Sequence, residues 1–235
     1  MIALTDVKLV LGEVTLFGTV TGTGPAVLLL HAGGERRGVW APVAARMAEQ
    51  GLRTTAFDLR GHGESTGRAT TLRALADDVG EMVRREPEPI VVVGASVGGL
   101  AAISALAEPA LARRVAGLVL VDVVPDPDPA RARSWLDFRG LGDRYTYLVD
   151  DILGSGPALL ATAGALDVPI LLVRAGKGSP LDDADVRRLH AAHHCVTLVR
   201  IPTAGHLVAR DAPEVLADIV AEYASHWLAN PDGHR

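Results

Sequence analysis

Short runs of continuously apolar residues alternate along the chain with segments in which apolar residues recur every three or four positions. The runs are typical of strands buried on both faces, and the periodic segments are typical of amphipathic helices. The pattern predicts strands near 7–11, 14–20, 26–30, 54–57, 90–93, 117–121, 170–173 and 197–201. It predicts helices near 39–49, 72–85, 100–106, 184–190 and 213–227. This order indicates an α/β fold, with a mostly parallel eight-stranded sheet covered by helices on both faces.

The alternation is interrupted between residues 125 and 166, where no strand-like run occurs. Three prolines at the start of this segment prevent a strand or helix from continuing through it. We predict a short helical cap over 125–166, inserted after the sixth strand of a single domain that spans 1–235. The segment is rich in aromatic residues, and we expect Trp135 and Phe138 to line an apolar substrate pocket. The alternative is that these aromatic side chains only join the cap to the core.

Composition narrows the class of protein. Hydrophobic residues make up 49% of the chain and charged residues 22%, the formal net charge is -5, and no block of like charges occurs. These values are ordinary for a globular enzyme and argue against a nucleic-acid partner. With a single cysteine, Cys195, the chain cannot form an internal disulfide. No secretory signal or membrane-length apolar run is visible, so we expect a cytoplasmic monomer or homodimer with no membrane partner.

Residues 94–98, with the sequence Gly-Ala-Ser-Val-Gly, lie between a predicted buried strand and a predicted helix. This places Ser96 on a sharp turn from strand into helix, the arrangement known as a nucleophile elbow. Glycine at 94 and 98 lets the backbone and the helix approach closely. The N–H groups of the following helix then face any negative charge that develops beside the serine oxygen. The pattern predicts a nucleophilic serine.

Three further segments carry a resemblance to a known family. His31-Ala32-Gly33-Gly34, followed by Trp40, resembles the oxyanion loop after the third strand of α/β-hydrolases. The segment 58–65, Asp-Leu-Arg-Gly-His-Gly-Glu-Ser, resembles the motif after their fourth strand, and 201–206 is similar to the loop that carries their catalytic histidine. With the serine elbow, these matches follow the family order along nearly the whole chain, and they point to its serine esterase and lipase branch.

The resemblance implies a role for each matched position. Ser96 is expected to be the nucleophile, and His206 the general base that takes its proton and later returns it to the leaving group. The backbone N–H groups of Gly33 and Val97 are expected to form the oxyanion hole. The resemblance implies no metal and no other cofactor.

The acid of the triad has two candidate positions. Most of the family places an aspartate after the strand that is predicted here at 170–173, but this chain has Ser179 at the expected position. Some relatives place the acid after the preceding strand, where Asp122 stands. We predict Asp122, because a carboxylate at the end of an apolar strand is partly buried and needs a partner. Asp182 and Asp183 are alternatives, although either could instead cap the following helix. A further alternative is a working serine–histidine pair with no acid.

These residues predict a serine hydrolase that cleaves a carboxylic ester, thioester or lactone of a small acyl substrate through an acyl-enzyme intermediate. One alternative is a lyase or carbon–carbon-bond hydrolase that uses the serine and histidine for proton transfer. Another is a ligand-binding protein whose triad has decayed. Fold resemblance alone does not decide among these reactions.

Polar residues near these motifs have less specific interpretations. Arg36 and Arg37 could bind a substrate carboxylate, although a solvated loop charge is the simpler interpretation. His31 and His62 are expected to shape loops through hydrogen bonds.

Three histidines, His190, His193 and His194, have the spacing of one helix face and could in principle bind a metal. No carboxylate completes a zinc motif around them. We therefore interpret them as a solvated helix end.

Overall fold

A single sheet of eight strands runs through the protein. The computed structural model of the chain describes residues 3–138, 140 and 145–231. The strands are β1 (Leu4–Leu11), β2 (Val14–Thr21), β3 (Ala26–Leu30), β4 (Arg53–Phe57), β5 (Ile90–Ala95), β6 (Val115–Val121), β7 (Ile170–Ala175) and β8 (Val196–Ile201). Their order in the sheet is β1-β2-β4-β3-β5-β6-β7-β8. The pairs β1–β2 and β2–β4 are antiparallel and the rest are parallel, which confirms the predicted fold class.

Helices connect the strands and cover the sheet. They are α1 (Ala41–Glu49), α2 (Leu72–Arg85), α3 (Val97–Ala105), α4 (Pro109–Ala112), α5 (Pro129–Phe138), α6 (Thr146–Gly164), α7 (Asp183–Ala192), α8 (Val208–Asp211) and α9 (Pro213–Ala229). The short helices α4 and α8 were not predicted, because four residues are too few to show a helical period. Across the described residues, no helix is both long and apolar enough to cross a membrane.

The central strands are buried because both faces of the sheet are covered. Every residue of β3, β5 and β6 is buried. Successive side chains point to opposite faces of a strand, so alternate residues enter two separate cores. Val92 and Leu120 pack into the core on the side of α2 and α3, whereas Val93 and Val121 pack into the core on the side of α1 and α9.

The topology brings two loops together at the carboxyl edge of the sheet. From β3 the chain crosses to β4 on one side, and it then returns to β5 on the other side of β3. In open α/β sheets this switch point leaves a crevice between the loops that follow the two neighbouring strands. The loop after β3 contains Gly33, and Ser96 follows β5 directly.

The segment between β6 and β7 contains helices α5 and α6 and no strand among its described residues. Residues 139 and 141–144 lie outside the described part of the chain. Helix α6 contacts α3 and α2, so this part of the segment lies on the α2 and α3 side of the sheet. This is the segment 125–166 that we predict to be a cap, and that interpretation stays a proposal.

Candidate active site

Ser96 lies on the turn from β5 into α3 with an unusual backbone conformation. Its φ is 49° and its ψ is -120°, and positive φ is rare for a residue with a side chain. A Cβ atom at Gly94 would lie 2.4 Å from Gly99 Cα, and one at Gly98 would lie 2.7 Å from the Leu30 carbonyl oxygen. Both distances exclude a side chain. The two glycines therefore allow the tight turn, as the sequence pattern predicts for an elbow.

His206 lies in the loop between β8 and α8, with its side chain almost completely buried. Its Nδ1 atom is 2.8 Å from Oδ2 of Asp122. A carboxylate can only accept, so Nδ1 carries the hydrogen and Nε2 is the ring nitrogen left to take a proton. Ser96, His206 and Asp122 all line the same cavity.

Asp122 immediately follows β6 and is fully buried. Its Oδ1 accepts hydrogen bonds from the Ala175 N–H at 2.9 Å and from the Ser179 hydroxyl at 2.8 Å. With His206 on Oδ2, three donors surround the carboxylate. A buried charge needs such partners, and these hold the plane of the carboxylate in one orientation.

The two alternative acids have other partners. Asp182 is the N-cap of α7 and accepts from the N–H groups of Ala184 and Asp185. Asp183 accepts hydrogen bonds from Arg174 and Arg200, and these lower the pKa of its carboxyl to about 2. The structure therefore brings Asp122, and neither alternative, into hydrogen-bond contact with His206.

Gly33 and Val97 lie side by side across the crevice between β3 and β5. A Cβ atom added at Gly33 would be 3.7 Å from Val97 Cγ1. In residues 3–138, 140 and 145–231, neither backbone N–H donates to another group of the chain. Two adjacent donors without partners beside Ser96 suit the binding of a developing negative charge.

His31 fixes the loop that carries Gly33. Its Nδ1 donates to the Ala32 carbonyl at 2.8 Å, and its Nε2 accepts from the Leu59 N–H at 3.0 Å. An Nε2 that accepts a hydrogen bond requires a neutral imidazole. Burial lowers the pKa of His31 to about 4, which keeps the ring neutral at physiological pH. His31 therefore has the loop-shaping role expected of it.

The cavity beside Ser96 has a volume of about 300 Å³ and is mostly apolar. Helix α5 contributes Trp135 to its wall, and the Trp135 ring meets the His206 ring edge-on at a centroid distance of 4.3 Å. Trp135 Nε1 also donates to the Gly178 carbonyl at 3.0 Å. The apolar lining includes Val123, Leu136, Leu148, Val149, Ile152 and Leu181.

The prediction that Phe138 lines the pocket is wrong. Its side chain is 87% exposed, and it does not contact the cavity. The cavity-lining residues of α5 are Ala132, Trp135 and Leu136, which have the i, i+3, i+4 spacing of one helix face. Phe138 falls outside that face because it lies about 120° around the helix from Ala132, at the middle of the face.

Sequence reasoning missed two charged residues that line the cavity, Glu35 and Arg210. Glu35 lies two positions after Gly33, and burial raises the pKa of its carboxyl above the ordinary range. Arg210 belongs to α8, the short helix that the sequence pattern did not reveal. Only the position of Glu35 within the oxyanion-loop segment could have indicated that it faces the site.

The paired arginines of this loop have different surroundings. The backbone N–H and the guanidinium of Arg37 both donate to Asp58, and the guanidinium also pairs with Glu64. Arg37 therefore holds the segment 58–65 in place. Arg36 is exposed, as expected for a solvated loop charge.

The interpretation of the three histidines as a solvated helix end is wrong for His193. Its side chain is buried, its Nε2 contacts the Leu166 carbonyl at 3.1 Å, and its Nδ1 accepts from the Cys195 N–H. Burial lowers the pKa of His193. The ring joins the end of α7 to the start of β8. Among the described residues, no cluster of three or more His, Cys, Asp or Glu side chains is arranged to hold a metal ion.

Comparison with known proteins finds one matching family model and several named esterases. Residues 23–138 match the family model described as serine aminopeptidase, S33. An esterase of Mycobacterium tuberculosis, Rv0045c, is 30% identical over 85% of this chain and 82% of its own length. The pimeloyl-[acyl-carrier protein] methyl ester esterase of Stenotrophomonas maltophilia is 39% identical over 59% of this chain and 56% of its own length.

The architecture is also similar to that of solved structures. A thermophilic esterase from Thermogutta terrifontis superposes with a TM-score of 0.71 and 24% identity, covering 95% of this chain and 99% of that one. At this sequence identity the similarity supports the fold and does not identify the reaction.

Proposed function

The chain belongs to the α/β-hydrolase family and is a serine hydrolase that cleaves esters, and we propose that Ser96, His206 and Asp122 form its catalytic triad. The observation that carries the proposal is the hydrogen bond between the His206 Nδ1 and Asp122 Oδ2, in the cavity that Ser96 also lines. That bond holds the histidine in the tautomer whose Nε2 can accept the serine proton.

In the proposed reaction, Ser96 Oγ attacks the ester carbonyl while His206 Nε2 takes its proton. The carbonyl oxygen becomes negatively charged, and the N–H groups of Gly33 and Val97 stabilise it. His206 then protonates the leaving alcohol, and the acyl group stays on Ser96. A water molecule that gives its proton to His206 attacks this acyl-enzyme. His206 then passes that proton to Ser96 Oγ as the acid product leaves, which restores the Ser96 hydroxyl.

Asp122 stays ionised through both steps and stabilises the imidazolium that forms on His206. Because the carboxylate is buried and held by three donors, it needs no rearrangement as the charge develops. The proposed triad requires no cofactor.

The apolar cavity suggests where the acyl group binds. Its volume of about 300 Å³ and its lining of aliphatic side chains suit an uncharged acyl group of modest size. We propose that the segment 125–166 is a short cap whose helices α5 and α6 form this wall, with the Trp135 ring packed against the His206 ring. Thioesters and lactones of similar acyl groups would fit the same chemistry.

The alternatives are less well supported. The relatives from Mycobacterium tuberculosis and Stenotrophomonas maltophilia are named esterases, which does not favour a lyase or a carbon–carbon-bond hydrolase. A ligand-binding protein with a decayed triad would have lost the acid, whereas Asp122 contacts His206 here. We also propose that the protein acts in the cytoplasm on small-molecule esters, as a monomer or homodimer.

A fluorophosphonate probe tests the proposed function. The probe reacts only with a serine whose neighbouring base activates it, so labelling should occur on the peptide that contains Ser96. The Ser96→Ala variant should not be labelled. Absence of labelling in the wild-type protein, or labelling of another residue, would contradict the proposal.

A further inference from the structure

Two hydrogen bonds fix the hydroxyl of Ser179. The Leu181 N–H donates to Ser179 Oγ at 3.1 Å, and Ser179 Oγ lies 2.8 Å from Asp122 Oδ1. An ionised carboxylate accepts and never donates, so the single hydroxyl hydrogen points to Asp122. The Leu181 N–H occupies the acceptor side of the hydroxyl and helps to hold it in that direction.

This hydroxyl completes the set of groups that orients Asp122. The Ala175 N–H and Ser179 share Oδ1, and His206 uses Oδ2. Without Ser179, Oδ1 would keep one donor, and the carboxylate would be freer to rotate away from the plane that His206 requires. Hydrogen bonds to an ionised group are about twice as strong as neutral ones, so this contact matters more than an ordinary side-chain bond.

Helix α5 holds the loop that carries Ser179 on both sides of the serine. Arg131 Nε donates to the Pro180 carbonyl at 2.7 Å, and Trp135 Nε1 donates to the Gly178 carbonyl at 3.0 Å. Arg131 and Trp135 are four positions apart and therefore lie on one face of the helix. The Arg131 guanidinium also pairs with Asp182 and Asp185 at the start of α7.

We propose that Ser179 is a positioning residue that holds the Asp122 carboxylate against His206, and that helix α5 holds Ser179 in place. The proposal rests on the proposed function, because it takes Asp122 to be the acid of the triad. It implies that one helix has two tasks. Trp135 and Leu136 of α5 line the substrate cavity, while contacts from the same helix fix the geometry of the acid.

A double-mutant cycle tests the role of Ser179. The kcat and KM for p-nitrophenyl butyrate are measured for the wild type, Ser179→Ala, Ser179→Thr, Asp122→Asn and the Asp122→Asn, Ser179→Ala double mutant. Ser155→Ala is the matched control, since the Ser155 hydroxyl bonds the exposed Asp151 carbonyl on α6 and Ser155 does not line the cavity. Thermal unfolding of each variant shows whether the fold is kept.

We expect Ser179→Ala to lower kcat by about ten-fold, with KM nearly unchanged. Ser179→Thr keeps the hydroxyl and should retain most of the activity. In the Asp122→Asn background the loss of Ser179 should change kcat by less than about two-fold, since the group that it positions is already gone. Ser155→Ala should behave as the wild type.

Several results would overturn the proposal. One is a kcat for Ser179→Ala within about two-fold of the wild type. Another is an equal loss of kcat from Ser179→Ala with and without Asp122, which would indicate a general effect on stability. If Asp122→Asn kept full activity, neither the acid role of Asp122 nor the positioning role of Ser179 would stand. Fluorophosphonate labelling of Ser96 in that case would still support the serine hydrolase.

A second pair of variants tests the contribution of α5. Arg131→Met removes the hydrogen bond to Pro180 together with the ion pairs to Asp182 and Asp185. Arg133, on the same helix as Arg131, forms an exposed ion pair with Asp150 of α6, and Arg133→Met removes it. Arg131→Met should lower kcat several-fold and should have no further effect in the Asp122→Asn background. Arg133→Met should leave kcat unchanged. Equal effects of the two substitutions on kcat would contradict the part of the proposal that concerns α5.

Discussion

Ser96 and Asp122 are the two described non-glycine residues with a positive φ, at 49° and 50°. Each stands at the carboxyl end of its strand, and the Ser96 N–H donates to the Val121 carbonyl at 3.2 Å, which joins the two strand ends. Positive φ costs of order 1–3 kcal/mol for such residues and is kept where the surrounding structure enforces it. Both strained positions belong to the proposed triad.

Replacing Ser96 by alanine should remove the nucleophile without adding bulk to the turn. We expect kcat for p-nitrophenyl esters to fall by a factor on the order of 10⁴ or more, with an unchanged circular dichroism spectrum. His206→Ala should be nearly as severe, and the double mutant little worse than either single variant, because the two residues act as a unit. An Ser96→Ala rate within about ten-fold of the wild type would exclude Ser96 as the nucleophile.

Asp122→Asn keeps the shape of the side chain but removes its charge. We expect kcat to fall by a factor on the order of 10²–10⁴ with little change in KM, since the imidazolium on His206 would lose its partner. Asp182→Asn and Asp183→Asn are the matched controls, because these side chains cap α7 and pair with arginines. A control variant that lost as much kcat as Asp122→Asn would identify a different acid.

The two aromatic residues of α5 should respond differently to substitution. Trp135→Ala should raise KM for butyrate and longer apolar esters more than for acetate, because Trp135 forms part of the cavity wall. Phe138→Ala should leave both KM values unchanged, since that side chain is exposed. Kinetics with an acyl-chain series check this. An equal rise in KM for all esters in Trp135→Ala would indicate that the residue stabilises the cap and does not bind the acyl group.

The buried His31 should make the protein sensitive to acid. The folded state takes up no proton at His31 until the pH reaches about 4, whereas the unfolded chain takes one up near 6.5. Between these values the unfolded state binds more protons, so the free energy of unfolding should fall as the pH is lowered from about 6.5 to about 4. The lowered pKa of His193 adds to the effect in the same direction.

Urea unfolding curves measured across that pH range test this prediction. His31→Gln is the informative variant, because glutamine can donate and accept but does not titrate in this range. We expect it to be less stable than the wild type at pH 7 but to lose less stability on acidification. An unchanged pH slope in His31→Gln would show that other groups cause the acid sensitivity.

Much of the fold could be predicted from the sequence because its signals are local. Runs such as 90–93 are apolar at every position, and burial on both faces is what makes parallel strands look this way. The elbow at Ser96 could also be predicted, since only glycine fits at 94 and 98. Asp122 was identified as a candidate because some members of the family place the acid after this strand, and because a carboxylate at the end of an apolar strand needs a partner.

Other features depend on contacts between distant segments and leave no local pattern. The hydrogen bond of Ser179 to Asp122 joins residues 57 positions apart, and the serine alone gives no sign of it. Phe138 was misassigned because hydrophobicity does not reveal which face of a short helix meets the cavity. His193 was misassigned because its partner, the Leu166 carbonyl, lies 27 positions away.

Trapping the acyl-enzyme tests the central claim most directly. The protein is mixed with excess p-nitrophenyl butyrate, quenched in acid within the first turnover, digested and analysed by mass spectrometry. The account predicts a burst of one nitrophenolate per enzyme and a butyryl group on the peptide containing Ser96, both absent in Ser96→Ala. A butyryl group on another residue would contradict the account. So would a burst of nitrophenolate with no acylated peptide.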